Sequence, residues 1–496
     1  MQLSHLSRRL VFLFLATAPA FAQQLSGNAS PLSVPQSLDQ LFSQAIRSPY
    51  AGSIPSAQLT PGVMDISVED AIDRGLKYNL GLVLSGDAAA QARAARLHDL
   101  SNILPHLSGG LLTSDMKANL VAEGFNLKIP GVPPMEAVRF TNADARLFME
   151  ENLFDLHAIN NLRAAGANVR AANFNISAAR ETVTLAVAAS YLLVISAESR
   201  VEAATAELTT AEALRRLAED REAAGLAPNI DTLRARVEEQ VRRQNLIEAN
   251  NNLAKQRITL VRVLGLPVHQ QFRLVSRVPY RPLPPLTEES ALQHALVSRP
   301  DYLALDQQVK AAELMKRAAQ AERLPTVGLS GDYGTLGTHP SNAFPTWTVA
   351  AGMRVPIFEG GKIESDIRSA DAGLQQLRAQ RDDLRGRIEQ DVADAMLDVA
   401  AAAEQVEVAV ATLDYANQTL AQSQDRFAAG VTNNIEVVQA QESVANANQQ
   451  YISSLYAHNI AKVLLARSMG VAEQTLRQVL GDAQPPAAQV PPAPAK

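Results

Sequence analysis

Arg426-Phe427-Ala428-Ala429-Gly430 repeats, 205 residues later, the segment Arg221-Glu222-Ala223-Ala224-Gly225. Each begins with an arginine and ends at a glycine. The same offset relates Asp231 to Glu436, Arg262 to Arg467 and Gly265 to Gly470. Working towards the N-terminus, Phe154-Asp155 matches Phe358-Glu359 at an offset of 204, and Leu104-Pro105 matches Leu324-Pro325 at 220. The first half therefore holds about 16 more residues (220 − 204) between its Leu-Pro and its Phe. An internal period this large marks a repeated structural unit. Two copies make a duplicated subunit rather than a solenoid.

Each copy has the same order. A helix of roughly 37 residues (67–103; 287–323) stops at Leu-Pro. A Gly-containing stretch of alternating polarity follows. Then come a helix of nearly 70 residues (155–222; 359–427), a glycine turn and another helix of roughly 37 (229–264; 433–469). The long segments carry apolar residues at three- and four-residue spacing: Val183, Val187, Tyr191 and Val194 in one, Ile388, Val392, Met396 and Val399 in the other. They contain no proline, and helices this long imply bundle or coiled-coil packing. At 1.5 Å per residue the long helix spans about 100 Å, nearly the length of two short ones end to end. Each half is thus expected to be a two-stranded rod.

The intervening stretches read as strands. Trp347, Val349, Ala351, Met353 and Val355 alternate within 344–357, and Val327, Leu329, Gly331 and Tyr333 alternate within 326–335. Weaker alternation covers 136–149, through Val138, Phe140, Ala145, Leu147 and Met149, and 106–114. Strands of about ten residues suit a tilted crossing of a bilayer. A small soluble sheet capping a coiled coil fits the same pattern. Four strands cannot close a barrel in lipid, where unpaired edges cost several kcal/mol per group. The membrane reading therefore requires a symmetric oligomer. The extra residues of the first half fall in 116–135, around Ile129-Pro130-Gly131-Val132-Pro133-Pro134, a turn-rich loop.

Composition agrees with long helices. The chain has 496 residues, 47% hydrophobic but only 5% aromatic, which argues against β-sandwiches. Net charge is −6, with no basic stripe for nucleic acid. There is no cysteine, so disulfides, thiolate metal sites, cysteine nucleophiles and a lipidated N-terminal Cys are excluded. Arg8-Arg9, the apolar run Leu10–Leu15 and Ala20-Phe21-Ala22 form a secretory signal cleaved before Gln23. The expected organisation is a signal peptide (1–22), an extended arm (23–62), a first repeat (63–270), a Pro-rich linker (271–286), a second repeat (287–480) and a Pro/Ala tail (481–496). Enzyme chemistry has no constellation here. The eight His residues lack ligand spacing, and Gly360-Gly361-Lys362 lacks the rest of a phosphate loop. No catalytic, cofactor-binding or metal-binding residue is expected.

Several motifs, in order, resemble those of the TolC-like outer membrane efflux proteins. Val68-Glu69-Asp70-Ala71-Ile72 with Asn79 resembles the opening helix, and Ser290-Ala291-Leu292 with Arg299-Pro300 its second copy. The Leu-Pro pairs resemble the helix-to-strand junction. Val355 to Lys362, with Pro356, Phe358, Gly360 and Gly361, resembles the strand-to-helix junction. Arg426 to Gly430, followed by Ile435-Glu436-Val437-Val438-Gln439-Ala440-Gln441, resembles the helix-turn-helix tip. The resemblance covers roughly 65–480. It implies a mainly α fold with a small β part: a homotrimer whose subunits each give four strands to a shared transmembrane barrel and long-helix hairpins to a periplasmic α-barrel.

By the same resemblance the protein is a non-lipidated outer-membrane duct in contact with lipid. It serves tripartite efflux or type I secretion with a periplasmic adaptor and an inner-membrane pump. The tip residues Arg221, Gly225, Arg426, Phe427 and Gly430 then dock the adaptor, and Asp231, Glu436, Gln439 and Thr432 form the periplasmic gate. Residue chemistry alone also explains the glycines as helix C-caps, the arginines as partners of helix C-termini and the acids as first-turn residues. Gln439 stands where a second acid is often found, and Thr432 where a basic residue can occur. The closed gate is expected to have fewer ion pairs than that of the family's type member, and Glu436→Ala is expected to alter conductance or cation block. The alternative is a soluble periplasmic coiled-coil scaffold or adaptor, disfavoured by two hairpins and few strands.

Overall fold

The structure, a computed structural model, describes residues 50, 52–54, 61–119, 122, 138–276, 280–432 and 434–479. The expected signal segment, most of the 23–62 arm, the body of the 116–135 loop and the 481–496 tail lie outside these residues.

In chain order the elements are β1 (Met64–Ile66), α1 (Val68–Tyr78), α2 (Leu80–Ser101), β2 (His106–Ala118), β3 (Val138–Phe154), α3 (Leu156–Ala223), α4 (Asn229–Val263) and β4 (Phe272–Leu274). The second half adds α5 (Glu288–Ser298), α6 (Pro300–Ala321), β5 (Thr326–Gly337), β6 (Ala343–Arg354), α7 (Lys362–Ala428), α8 (Asn434–Ser468) and α9 (Ala472–Val479). The long helices have 68 and 67 residues, as their unbroken 3.6-residue pattern requires.

The short helices differ from expectation. The segments expected as single helices, 67–103 and 287–323, are each two helices broken at equivalent positions. At Asn79 (ψ 129°) the backbone is extended, and the side chain accepts from Gly81 N and Leu82 N to start α2. At Arg299 (ψ 116°) the cause is Pro300, which disfavours helical ψ in the residue before it and sits at the first position of α6. Both preceding helices open on a hydroxyl cap. Ser67 accepts from Asp70 N at 3.0 Å, and Thr287 accepts from Ser290 N at 3.4 Å.

The four long strands form one antiparallel sheet in the order β2-β3-β5-β6, which joins the halves through β3 and β5. The register sorts the side chains by face. Leu107, Leu111, Leu147, Met149, Tyr333, Trp347, Val349 and Met353 share one face. Ser108, Glu150, Arg146, Asp144, Ser330, Asp332, Thr346 and Thr348 share the other, more polar face, together with Leu112, Phe148 and Phe344. On that polar face Arg146 pairs with Asp144 at 2.9 Å and with Asp332. The apolar face is uncovered: Leu111 is 89% exposed and Trp347 71%. Among the described residues, β2 pairs only with β3 and β6 only with β5, so both edges of the sheet are open.

Each of the four long strands adjoins a helix at one end, and the helices keep the strand order. Next to the sheet, α2, α3, α6 and α7 pack in sequence; farther away, α4, α3, α8 and α7 do so. The main core lies at mid-length, where Val183, Val187, Tyr191 and Val194 of α3 meet Ile66, Val68, Ile72, Leu260, Leu264, Ile460 and Val463. The Tyr191 hydroxyl donates to Ile66 O at 3.1 Å. An 18-residue window of α3 is apolar enough to cross a bilayer, but 72% of it is buried in the molecule, so its hydrophobicity is spent on this core. The core contact is duplicated: Ala71 and Gly75 face Val183 and Val187, while Ala291 and Ala295 pack with Ile388 and Val392. Helix α9 docks back on α3, where Glu181 accepts from Ala472 N at 2.7 Å and Arg180 pairs with Glu473.

Candidate functional site

The ends of α3 and α7 farthest from the sheet turn back through Gly225 and Gly430, at φ 72° and 73°. Only glycine enters this region without a Cβ penalty. Leu226 N donates to Arg221 O at 2.8 Å and Val431 N to Arg426 O at 3.0 Å, with Gly225 N to Glu222 O and Gly430 N to Phe427 O inside them. This is the Schellman pattern that satisfies terminal helix carbonyls. Gly265 and Gly470 end α4 and α8 in the same way, at φ 68° and 74°.

The two tips are not equivalent. Arg221 reaches across to the other hairpin. Its guanidinium donates to Phe427 O at 2.6 Å and to Ala428 O at 3.1 Å, and lies 4.9 Å from the Phe427 ring centre. The cation therefore serves the C-terminus of α7 rather than that of its own helix. Phe427 is buried with Leu214 and Val437. Glu222, the counterpart of Phe427, stays in the first tip, where hydrogen bonds from Thr232 and Asn229 hold its carboxyl below the usual range. Arg426 is exposed and sits 3.5 Å from Glu436. Gly225 and Gly430 are also exposed.

The expected gate residues separate by burial. The Asp231 side chain is 8% exposed and lies 3.4 Å from Arg234. Glu436 is partly exposed and accepts from the Thr432 hydroxyl. Gln439 is exposed in a shallow apolar groove with Ile230, Leu233, Val237, Ile435 and Val438. Among the described residues, Arg426–Glu436 and Arg234–Asp231 are the ion pairs made by these acids within one chain.

Two tip features were missed in the sequence. Asn434 is fully buried, and its amide donates to Asp231 O at 3.0 Å, tying the start of α8 to that of α4. Its counterpart at an offset of 205 is Asn229, so the repeat arithmetic could have flagged it. The second is an ion-pair ladder between α3 and α4. Arg215 bridges Glu219 and Glu239, Arg236 pairs with Glu219, Arg243 with Glu239, and Arg242 with Glu238 and Glu207. Charges at helix spacing on both partners were the available signal.

At the other end, the strand-to-helix junctions also differ. Asp155 caps α3 directly by accepting from Ala158 N at 3.0 Å. In the second half, Val355 to Gly361 intervene. Pro356 cannot extend the ladder, Phe358 is 88% exposed, and Gly360 and Gly361 have φ of 60° and 86°. Gly361 is the N-cap of α7.

A model of the outer membrane efflux protein family matches residues 87–266 and 291–471, the two repeats in turn. The chain belongs to the outer membrane efflux protein family. It is 26% identical to the outer membrane protein OprJ of Pseudomonas aeruginosa over 57% of this chain and 60% of that protein. It is 24% identical to the probable outer membrane lipoprotein SilC of Salmonella typhimurium over 49% of this chain and 51% of that one. With the alkaline protease secretion protein AprF of P. aeruginosa it shares 22% identity over 66% of this chain and 69% of that one. These alignments thus span about half to two thirds of the relatives' lengths. The fold matches the Campylobacter jejuni CmeC outer membrane channel with a TM-score of 0.70 at 16% identity, covering 91% of this chain and 98% of that one. It matches the outer-membrane channel OprN with a TM-score of 0.69 at 20% identity, covering 81% and 89%. The fold of this efflux-family chain is therefore that of the TolC-like channels, and membership places it in the outer membrane. It also favours the channel reading over the soluble scaffold.

Proposed function

We propose that this chain is one subunit of a passive, trimeric outer-membrane duct for efflux or type I secretion, fed by a periplasmic adaptor and an inner-membrane pump. The observation that carries the reading is the four-stranded sheet, with Leu111, Leu147, Trp347 and Val349 on one face, the Arg146–Asp144–Asp332 cluster on the other, and both edges open among the described residues. Such a sheet in lipid needs its edges paired, and identical copies can pair β6 of one with β2 of the next. Three copies would make a barrel of twelve strands, within the known range of such barrels. The apolar face then meets lipid, and Arg146, Asp144 and Asp332 line the passage.

The proposed gate lies at the helical tips. Glu436 is its available acid, with Thr432 and Gln439 beside it, while Asp231 supports the wall from within. Arg426, Gly225 and Gly430 form the surface offered to the adaptor, and Arg221 and Phe427 hold that surface together from behind. The test is conductance in planar bilayers by the purified full chain. Stepwise channels of uniform size are expected, with Glu436→Ala changing conductance or block by divalent cations. A protein that stays in the soluble fraction and forms no channels would sink the duct. Unchanged Glu436→Ala currents would sink the gate assignment alone.

A further inference from the structure

The two repeats diverge at a buried cation. In the first half Arg257 on α4 pairs with Glu198 on α3 at 2.8 Å. Adding 205 gives Lys462 on α8 and Ala403 on α7, so the second copy keeps the cation and lacks the acid. Lys462 is nevertheless 4% exposed, and His458, one turn earlier, is 0% exposed. Among the described residues neither forms an ion pair. Both reach the same acceptor, the Arg281 carbonyl, with Lys462 Nζ at 3.2 Å and His458 Nε2 at 3.3 Å. That carbonyl belongs to the strap Tyr280-Arg281-Pro282-Leu283-Pro284-Pro285-Leu286, which joins the repeats. Its three prolines offer no N–H. Among the described hydrogen bonds, only these two hold the strap.

The geometry sets the chemistry of His458. Donation from Nε2 makes Nδ1 the bare nitrogen, and Nδ1 is buried without a partner. A second proton would sit there with no acceptor, beside Lys462. The charged groups acting on the pair are Lys462 and Arg281, and the Tyr280 ring lies 4.8 Å from the imidazole. On the elements packed against α8, Arg257 of α4 is held by Glu198, Glu181 of α3 by the start of α9, and Glu473 of α9 by Arg180. On α7, Ala403 occupies the position equivalent to Glu198.

We propose that His458 and Lys462 form a pH-sensitive latch: neutral His458 clasps the inter-repeat strap on α8, and its protonation releases the strap. Burial lowers the basicity of both groups, His458 below its usual 6.5 and Lys462 to about 8. A base whose folded pKa is depressed opposes folding wherever the unfolded chain takes up its proton first. For His458 that loss begins as pH falls through 6.5 and is complete below its lower folded value. For Lys462 it runs from about 10.5 down to about 8 and is already present at neutral pH. Lys462 completes its protonation between about pH 8 and 7, so of the two groups only His458 changes as pH falls from 7 to 5.

The chain has no cysteine, so a nitroxide on Leu283→Cys reports on the strap alone. In the purified full-length protein the spectrum is expected to be immobilised at pH 8. At least half of that component should be lost by pH 5, with a midpoint below 6.5. His458→Gln keeps an amide donor without a titrating group and should leave the spectrum independent of pH. Ala403→Glu restores the acid of the first repeat and should keep the strap immobilised at pH 5. A line shape that does not change with pH in the Leu283→Cys chain, or the same change in His458→Gln, overturns the latch.

Discussion

Gly75 shows how tightly single residues are set. A Cβ built there would lie 2.3 Å from Val187 Cγ2. Valine is stiff at χ1 and cannot swing away, so Gly75→Ala is expected to destabilise by about 1–3 kcal/mol in urea unfolding. The second copy already has Ala295 at this point, and Ala295→Gly should cost the ~1 kcal/mol of helix propensity and about 0.8 kcal/mol for its buried methyl. The tip arginines should separate as clearly. Arg221→Met removes two charge-assisted bonds to the end of α7, each worth about 1.5–3 kcal/mol. Hydrogen exchange at residues 428–431 should rise with it. Arg426→Met breaks one exposed pair and should shift stability by less than about 1 kcal/mol. Sequence spacing marked both arginines as partners of helix C-termini. It could not say which terminus, because Arg221 serves a helix 206 residues away.

At the scale of elements, the long helices were legible because their pattern is local and uninterrupted. The break in each short helix was not taken from the sequence, although Pro300 announced one of them. The Asn79 break is harder to read, since an asparagine inside an apolar pattern fits a helix almost as well as a cap. Arg299 braces its break against Asp301 and Asp391, at 2.7 and 2.8 Å. Burial, the largest single influence, raises the Asp301 pKa, but the hydrogen bond and charge of Arg299, with the Tyr302 amide and Arg467, together outweigh it and the net shift is downward. Asp301 thus adds stability above its ordinary pKa near 4, and that stability is lost as pH falls through the lower folded value. Arg299→Ala should lower the melting temperature at pH 7 and shrink this acid sensitivity. The α3–α4 ladder predicts a second element effect. Glu239 is nearly buried between Arg215 and Arg243, and Glu239→Gln should destabilise the first hairpin by about 1.5–3 kcal/mol in thermal unfolding. The α7–α8 hairpin, held by Phe427 and Val437, should respond little.

Across the whole molecule the helices pack side by side in the order of the strands they adjoin. The proposed assembly in lipid would cover the exposed apolar residues. Val349→Arg on the apolar face should cost about 2–4 kcal/mol per chain at mid-bilayer and reduce recovery of the protein in the membrane fraction. Thr348→Arg, one residue along on the polar face, should insert normally and change ion selectivity instead. Equal recovery of the two variants would contradict the assignment of faces.

Periodicity and repeat arithmetic alone determined the long helices, the glycine turns, the duplication and the apolar alternation of the strands, because each depends on residues close in sequence or on comparing one copy with the other. The tertiary structure alone decided the order β2-β3-β5-β6, the single apolar face and the open edges. Those depend on register, and a one-residue slip would have moved every side chain to the opposite face. Folding also decided what the tip residues touch. Arg221, Phe427, Asp231 and Asn434 meet only when two hairpins 205 residues apart in the chain are brought side by side.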